Sequence, residues 1–312
     1  MADETDPLVT IGIPTFNRVA LLQNTLRSVC AQTYRRLEIV VCDNASSDAT
    51  QDVMRQLARE DPRIRYVRQT SNVGAAENFR TVLRLATGDF FMWLGDDDWI
   101  DPAYIEACMR VHLRAEGHSF VGGNATFYQN GAVHHRVRHY TLEQRSALGR
   151  VLAHWMQLEG WPFYGVMPTR LIAACNVMDT FGGDQIMLAA LAWAGKIRTE
   201  ENVCVHRDLR VGGSWETLKK LYPGWRIRFP NVAVLTYACA DIVTKNAIYK
   251  RMNLATRVLF AAVVGTWLGG WALMRSGRYY LLLPVRRLIG ERRFEAVKAA
   301  IRGKRRGPRM AV

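Results

Sequence analysis

No two cysteines of this chain stand in a C-x-x-C pair: Cys30, Cys42, Cys108, Cys175, Cys204 and Cys239 are scattered, most of them beside apolar residues. That spacing excludes a zinc ribbon or a disulfide framework and fits reduced core thiols. A targeting signal is missing too. The opening MADETDPLVT is acidic and polar, without the basic and apolar regions of a secretory leader, so a cytosolic N-terminus is expected. No internal repeat occurs, nor does a run of about twenty apolar residues of the kind that spans a bilayer. Acidic residues become scarce only toward the C-terminus. From Arg251 to Val312 there are 14 Lys+Arg against 2 Asp+Glu, a net +12 of the chain's +14, so the preceding 250 residues are nearly neutral. A basic end of this kind attracts a polyanion, either nucleic acid or an anionic membrane surface.

What is present reads as strands and helices in alternation. LVTIGIP (8–14), LEIVVCD (37–43), IRYV (64–67) and FFMWL (90–94) are short, apolar and rich in strand formers. Between them lie helical stretches with apolar stripes at Leu22, Leu26 and Val29, at Val53 and Leu57, and at Ala76, Phe79 and Leu83. Asn17 is expected to cap the first helix, and Ser46 or Ser47 the second. Four strand-then-helix units predict an α/β, mostly parallel, Rossmann-like sheet flanked by helices. Such sheets bind ligands beyond the carboxyl ends of their strands. Those ends carry Pro14-Thr15-Phe16-Asn17, Asp43-Asn44 and Asp96-Asp97-Asp98. Residues 120–215 mix short strands and helices and predict a mixed second half.

Asp96-Asp97-Asp98 follows the strongly apolar strand. Adjacent carboxylates repel, and burial raises their pKa values unless a cation compensates. Hard oxygen ligands suit Mn²⁺ or Mg²⁺, which takes its other ligands from phosphate and water. A solvated acidic turn is the bland alternative.

VTIGIPTFNR, EIVVCDNASSDAT and SNVGAAENFRTVLRLATGDFFMWLGDDDWIDP, in this order, resemble family 2 of the inverting glycosyltransferases, which have the GT-A fold. The resemblance covers about the first 115 residues. It implies a nucleotide pocket lined by Pro14, Thr15, Phe16 and Asn17, a base contact from Asp43, and a ribose wall from Asn72, Gly74 and Asn78. Asp96 would approach the ribose and share the metal with Asp98, with Asp97 between these roles, as in a D-x-D motif. Gly95 stands where the family often has a first acid. The family's general base matches Asp184, ahead of the apolar helix IMLAALAWAG, where a plain helix cap is the alternative. Trp161, Phe163 and Tyr164 could stack on sugar or pack in the core, and His206, Arg207 and Arg210 could meet diphosphate. His134, His135 and His139 are expected in solvent.

The implied partition is 1–115 for the nucleotide sugar, 116–225 for the acceptor, and a basic helical region over 226–312. Single addition is expected, because processive polymerisation brings several membrane spans. The uncharged stretch 258–274, edged by arginines and aromatic residues, suits the headgroup region of a membrane, or a core helix with a solvated tail. The expectation is a peripheral protein at the inner face of the membrane, serving cell-surface polysaccharide or lipopolysaccharide assembly with a glycan or lipid-linked acceptor. Nucleic acid is not expected, because the basic residues interleave with apolar runs. A sugar nucleotidyltransferase would need a Gly-rich basic loop after the first strand, and IPTFNRVALL has none.

Overall fold

The first apolar run becomes β1 (Val9–Thr15), buried along its whole length. The computed structural model describes residues 6–157, 162–175, 182–209 and 230–270. Strand β1 lies between β2 (Leu37–Asp43) and β4 (Phe90–Trp93), both parallel to it, and β3 (Ile64–Arg68) extends the sheet beyond β2. Helices α1 (Val19–Cys30), α2 (Thr50–Glu60) and α3 (Ala75–Leu85) make the crossovers. Alternation along the strands divides the core in two, as a period of two requires. Ile11, Ile13 and Met92 face α1, α2 and α4 (Tyr104–Arg114), while Phe91 and Trp93 face the other side with Val82 of α3.

The second half continues the same sheet. Here β4 pairs antiparallel with β8 (Gly165–Pro168), which pairs with β6 (His118–Gln129), and β6 runs parallel to β9 (Lys196–Asp208). Two short strands went unread in the sequence. One is β5 (Asp98–Ile100), antiparallel to β9, and the other is β7 (Ala132–Val137), a hairpin partner of β6. Helices α5 (Ala147–Met156), α6 (Thr169–Ala174) and α7 (Gly183–Ala194) cover one face, and α7 is buried almost all round.

Beyond α8 (Pro230–Ala240) the backbone is helical again over 254–270. That last helix sends Phe260, Ala261, Val264 and Leu268 into the core shared with α7, where Trp193 meets Phe260 at 4.6 Å between ring centroids. Its other side leaves Leu254, Val258, Leu259, Val263 and Trp267 exposed, Leu259 by 67%. Between the two sequence alternatives, the structure shows core contacts along one side of this helix and exposed apolar side chains along the other.

Both cap expectations are corrected. Asn17 has φ 54° and accepts the Ser47 amide at 2.7 Å, so it ties two loops together rather than capping α1. Neither Ser46 nor Ser47 caps α2. Asp48 serves both helices, accepting Val19 N–H at 3.1 Å and the Thr50 amide and hydroxyl at 3.1 and 2.5 Å. Against the cost of burial, those bonds hold its carboxyl below the ordinary range.

Candidate active site

The carboxyl ends of β1, β2 and β4 open on a cleft of about 460 Å³. Its wall includes Pro14, Thr15, Phe16, Asn72, Gly74, Asn78 and Asp96, seven of the residues singled out from the sequence. Asn44, at the end of the second strand, lines it as well, as do Arg18 and Phe79, which the sequence does not single out for this edge. The wall is braced by amides. Asn44 donates to Asn72 Oδ1 at 2.8 Å and accepts the Val73 amide at 2.9 Å, and Asn78 donates to the Cys42 carbonyl at 2.9 Å. Asn78 Oδ1 is buried at the edge of the cleft and accepts no hydrogen bond.

Asp43 differs from its expected place. It is 0% exposed and lies beneath the cleft, accepting the Ser46 amide at 2.8 Å and the Tyr66 hydroxyl at 2.6 Å, with Arg68 Nε at 3.4 Å. Here it shapes the 44–46 loop, and the neighbouring Asn44 faces the cleft.

The acidic run is neutralised from two sides. Asp96 accepts the Thr15 hydroxyl at 2.8 Å and Arg18 Nη1 at 3.2 Å, and the same nitrogen reaches Asp97 Oδ2 at 2.9 Å. Asp98 lies deeper, with Arg207 Nε 3.3 Å from its Oδ2 and the Tyr164 hydroxyl beside it. That oxygen is buried and makes no well-formed hydrogen bond. Burial pushes the Asp98 carboxyl up to about 6, against the pull of Arg207 and Tyr164, and burial likewise raises Asp96. Gly95 has a steric reason. A Cβ there would sit 2.7 Å from the Tyr164 hydroxyl and 3.0 Å from Asp98 Oδ2, so Tyr164 fills the space a side chain at 95 would need.

A second cavity, of about 200 Å³, is walled by Phe127, His135, His139, Phe163 and the two residues that flank Asp98, Tyr164 and Arg207. Arg207 is held over the Phe127 and Tyr164 rings at 5.6 and 5.3 Å. The solvent expectation for the three histidines is corrected in part. His134 and His135 are exposed, although His135 stacks on Phe127 at 4.5 Å, while His139 is half-buried and donates Nδ1–H to the Gly123 carbonyl at 2.8 Å.

His206 joins neither cavity. Alternation along β9 turns it away from Arg207 to stack on Trp99 and to bond Asp101 at 2.8 Å and Tyr128 at 3.1 Å. Asp184 lies in the first turn of α7 behind Gly182 (φ 71°), with its Oδ1 accepting the Gln185 amide at 2.9 Å. It is not among the residues lining either cavity. Trp161 and Arg210 lie outside the described residues.

The description Glycosyl transferase family 2 matches residues 10–165, half of the chain. Among characterised relatives, the GalNAc(5)-diNAcBac-PP-undecaprenol beta-1,3-glucosyltransferase of Campylobacter jejuni is 28% identical over 206 residues, covering 66% of this chain and 64% of that protein. The putative colanic acid biosynthesis glycosyl transferase WcaA of Escherichia coli is 27% identical, over 50% of this chain and 56% of its own. The chain therefore spans less than two thirds of either relative. Two solved structures share the fold. TarS 1-349 of S. aureus, in complex with UDP-GlcNAc, superposes with TM-score 0.58 at 15% identity, covering 82% of this chain and 70% of that one. The mannosyltransferase PcManGT of Pyrobaculum calidifontis, with GDP-Man and Mn2+, superposes with TM-score 0.55 at 19% identity, covering 96% and 81%.

Proposed function

The chain belongs to glycosyl transferase family 2 and has the GT-A fold, and on that footing we propose that it moves a single sugar, with inversion, from a nucleoside diphosphate sugar to a hydroxyl of a glycan or lipid-linked acceptor. The pathway is cell-surface polysaccharide or lipopolysaccharide assembly. One observation carries this reading: the acidic run lies between two cavities, Asp96 lining the first, and Arg207 and Tyr164 of the second flanking the buried, raised carboxyl of Asp98. The cleft beyond β1 and β2 takes the nucleoside, with Asn44, Asn72 and Asn78 offering amide groups to it. The sugar then lies at the acidic run, and the aromatic second cavity takes the acceptor, Phe163 and Tyr164 presenting ring faces.

In the transfer, the acceptor hydroxyl gives its proton to a carboxylate and its oxygen bonds to the anomeric carbon. The bond from that carbon to the phosphate oxygen breaks, and its electron pair leaves with the diphosphate. Asp184 is the proposed base, on its match to the family's acid before an apolar helix.

Among the described residues no three metal-capable side chains form a cluster, so a cation here must complete its shell from phosphate and water. The unsatisfied Asp98 Oδ2 fits that partial role, with Asp96 beside it. When bound there, Mn²⁺ or Mg²⁺ supplies countercharge for the departing diphosphate.

Screening nucleotide sugars for donor hydrolysis tests the reading. Asp98→Asn should lower turnover of the accepted donor by at least about 10²-fold, and EDTA should stop it until Mn²⁺ or Mg²⁺ is restored. Turnover unchanged in EDTA removes the metal, and turnover of no donor removes the function.

The membrane partner belongs to the same proposal. The bare apolar side of helix 254–270 and the basic residues after it fit an anionic inner leaflet, with the protein peripheral on its cytoplasmic side. Among the described residues no helix is long and apolar enough to cross a membrane.

A further inference from the structure

One guanidinium at the acidic run is poised differently from the other. Arg207 is wedged between two aromatic rings and lies against Asp98. Arg18 stands at the mouth of the nucleotide cleft, 46% exposed, and spans Asp96 and Asp97 through a single nitrogen. Its backbone sits one residue before α1, beside the left-handed Asn17, so the side chain is carried by a loop fastened at both ends. Among the described residues, the two carboxylates are the hydrogen-bond and ion-pair partners of its head.

We infer that Arg18 is a diphosphate-binding residue that also guards the acidic run: in the free protein it occupies Asp96 and Asp97, and it transfers to the donor's phosphate oxygens when the nucleotide enters. The inference rests on the donor-cleft reading above. A guanidinium pairs with phosphate as it does with carboxylate, often through two parallel N–H bonds, so the exchange costs little charge compensation. It frees carboxylate oxygens at the moment the diphosphate arrives, and a cation that needs both carboxylate and phosphate then meets both together. Without nucleotide, Arg18 competes with any cation for Asp96, the carboxylate that the two would share. Arg18 therefore ties loading of the metal to loading of the donor.

The experiment uses the whole chain, as wild type, Arg18→Ala and Arg18→Lys. Calorimetric titration with UDP, GDP and the matching monophosphates reads the nucleotide, and the paramagnetic signal of free Mn²⁺ reads the metal in nucleotide-free protein. For the diphosphate that the wild type prefers, Arg18→Ala should lose about ten-fold or more in affinity, the size of one charge-assisted contact. Its monophosphate affinity should stay within about two-fold, and Arg18→Lys should fall between, because an ammonium keeps the charge and loses the fork. Nucleotide-free Arg18→Ala should bind Mn²⁺ more tightly than wild type. Equal losses for di- and monophosphate would make Arg18 a wall of the nucleoside pocket and overturn the diphosphate role. Mn²⁺ affinity equal to or weaker than wild type would overturn the guarding role. Wild type that binds neither nucleotide would remove both this inference and the donor reading beneath it.

Discussion

Asp184→Asn keeps the side-chain volume and the oxygen that accepts the Gln185 amide, and loses only the ability to take a proton. If Asp184 is the base, kcat should fall by roughly 10²–10⁴ while donor KM holds. Near-normal turnover would move the base to another acid of the second half. A second residue-scale prediction concerns pH. Burial pushes His112, His139 and His154 each down from 6.5 to about 4. His154 is fixed as a neutral ring, taking the Tyr140 hydroxyl at Nδ1 (2.6 Å) and giving Nε2–H to the Gln185 carbonyl (2.9 Å). A histidine whose folded pKa lies below its unfolded value takes up a proton on unfolding. Its contribution to stability is complete above pH 6.5 and is lost as pH falls from there toward 4. The melting temperature should drop across that window, and His154→Gln should flatten part of the drop; parallel curves would refute the assignment. That Thr15, Asn72, Gly74, Asn78 and Asp96 gather at one cleft was largely legible, because they sit at or near strand or helix ends. What each side chain does there was not. Asp43 turns inward to Ser46 and Tyr66, His206 faces the wrong side of β9, and Arg18, Tyr164 and His139 acquire their places only through contacts made across the fold.

Among the elements, the four parallel strands fell within a residue or two of their expected bounds, because each is a short apolar run closed by a polar end. The short strands β5 and β7 gave no such signal. Three residues at β5 carry no period, and β7 is exposed along most of its length, so only pairing with β9 and β6 makes them strands. Arg150 shows the same limit. On α5 it reads as an ordinary surface arginine, yet it is buried and spends its guanidinium on carbonyls: Ala192 at 2.7 Å and Trp193 at 3.3 Å in the last turn of α7, and Gln144 at 2.7 Å before α5. Burial holds its pKa below the usual arginine value. Arg150→Met keeps the stem and strands those carbonyls, each costing about 1–3 kcal/mol if left unsatisfied. Chemical denaturation should report a loss of about 2–4 kcal/mol with an unchanged slope. A loss under about 0.5 kcal/mol would mean that water replaces the guanidinium.

For the molecule as a whole, location and chemistry are separable. Residues 271–312 lie outside the described part, but Arg286, Arg287, Arg292 and Arg293 among them can be reversed in charge without touching the apolar face of helix 254–270. Reversal should weaken binding to anionic vesicles and leave transfer to a short soluble acceptor intact. Wild-type binding should weaken with salt, since surface charges are screened over about 8–10 Å at physiological ionic strength. Binding that survives both reversal and salt would assign the attachment to the exposed Leu259, Val263 and Trp267 instead. One feature of the core reaches the donor from a distance. Helix α3 crosses β1 so closely at Gly12 that any side chain there would collide with the Val82 methyls and the Phe91 ring. One turn before Val82 the same helix presents Asn78 to the cleft, and three residues beyond Gly12 the same strand presents Thr15. The gap between strand and helix in the dry interior therefore sets the width of the cleft above it. On the proposed donor reading, preference can drift, or be engineered, through the volumes of Val82 and Phe91, two buried residues outside the cleft lining.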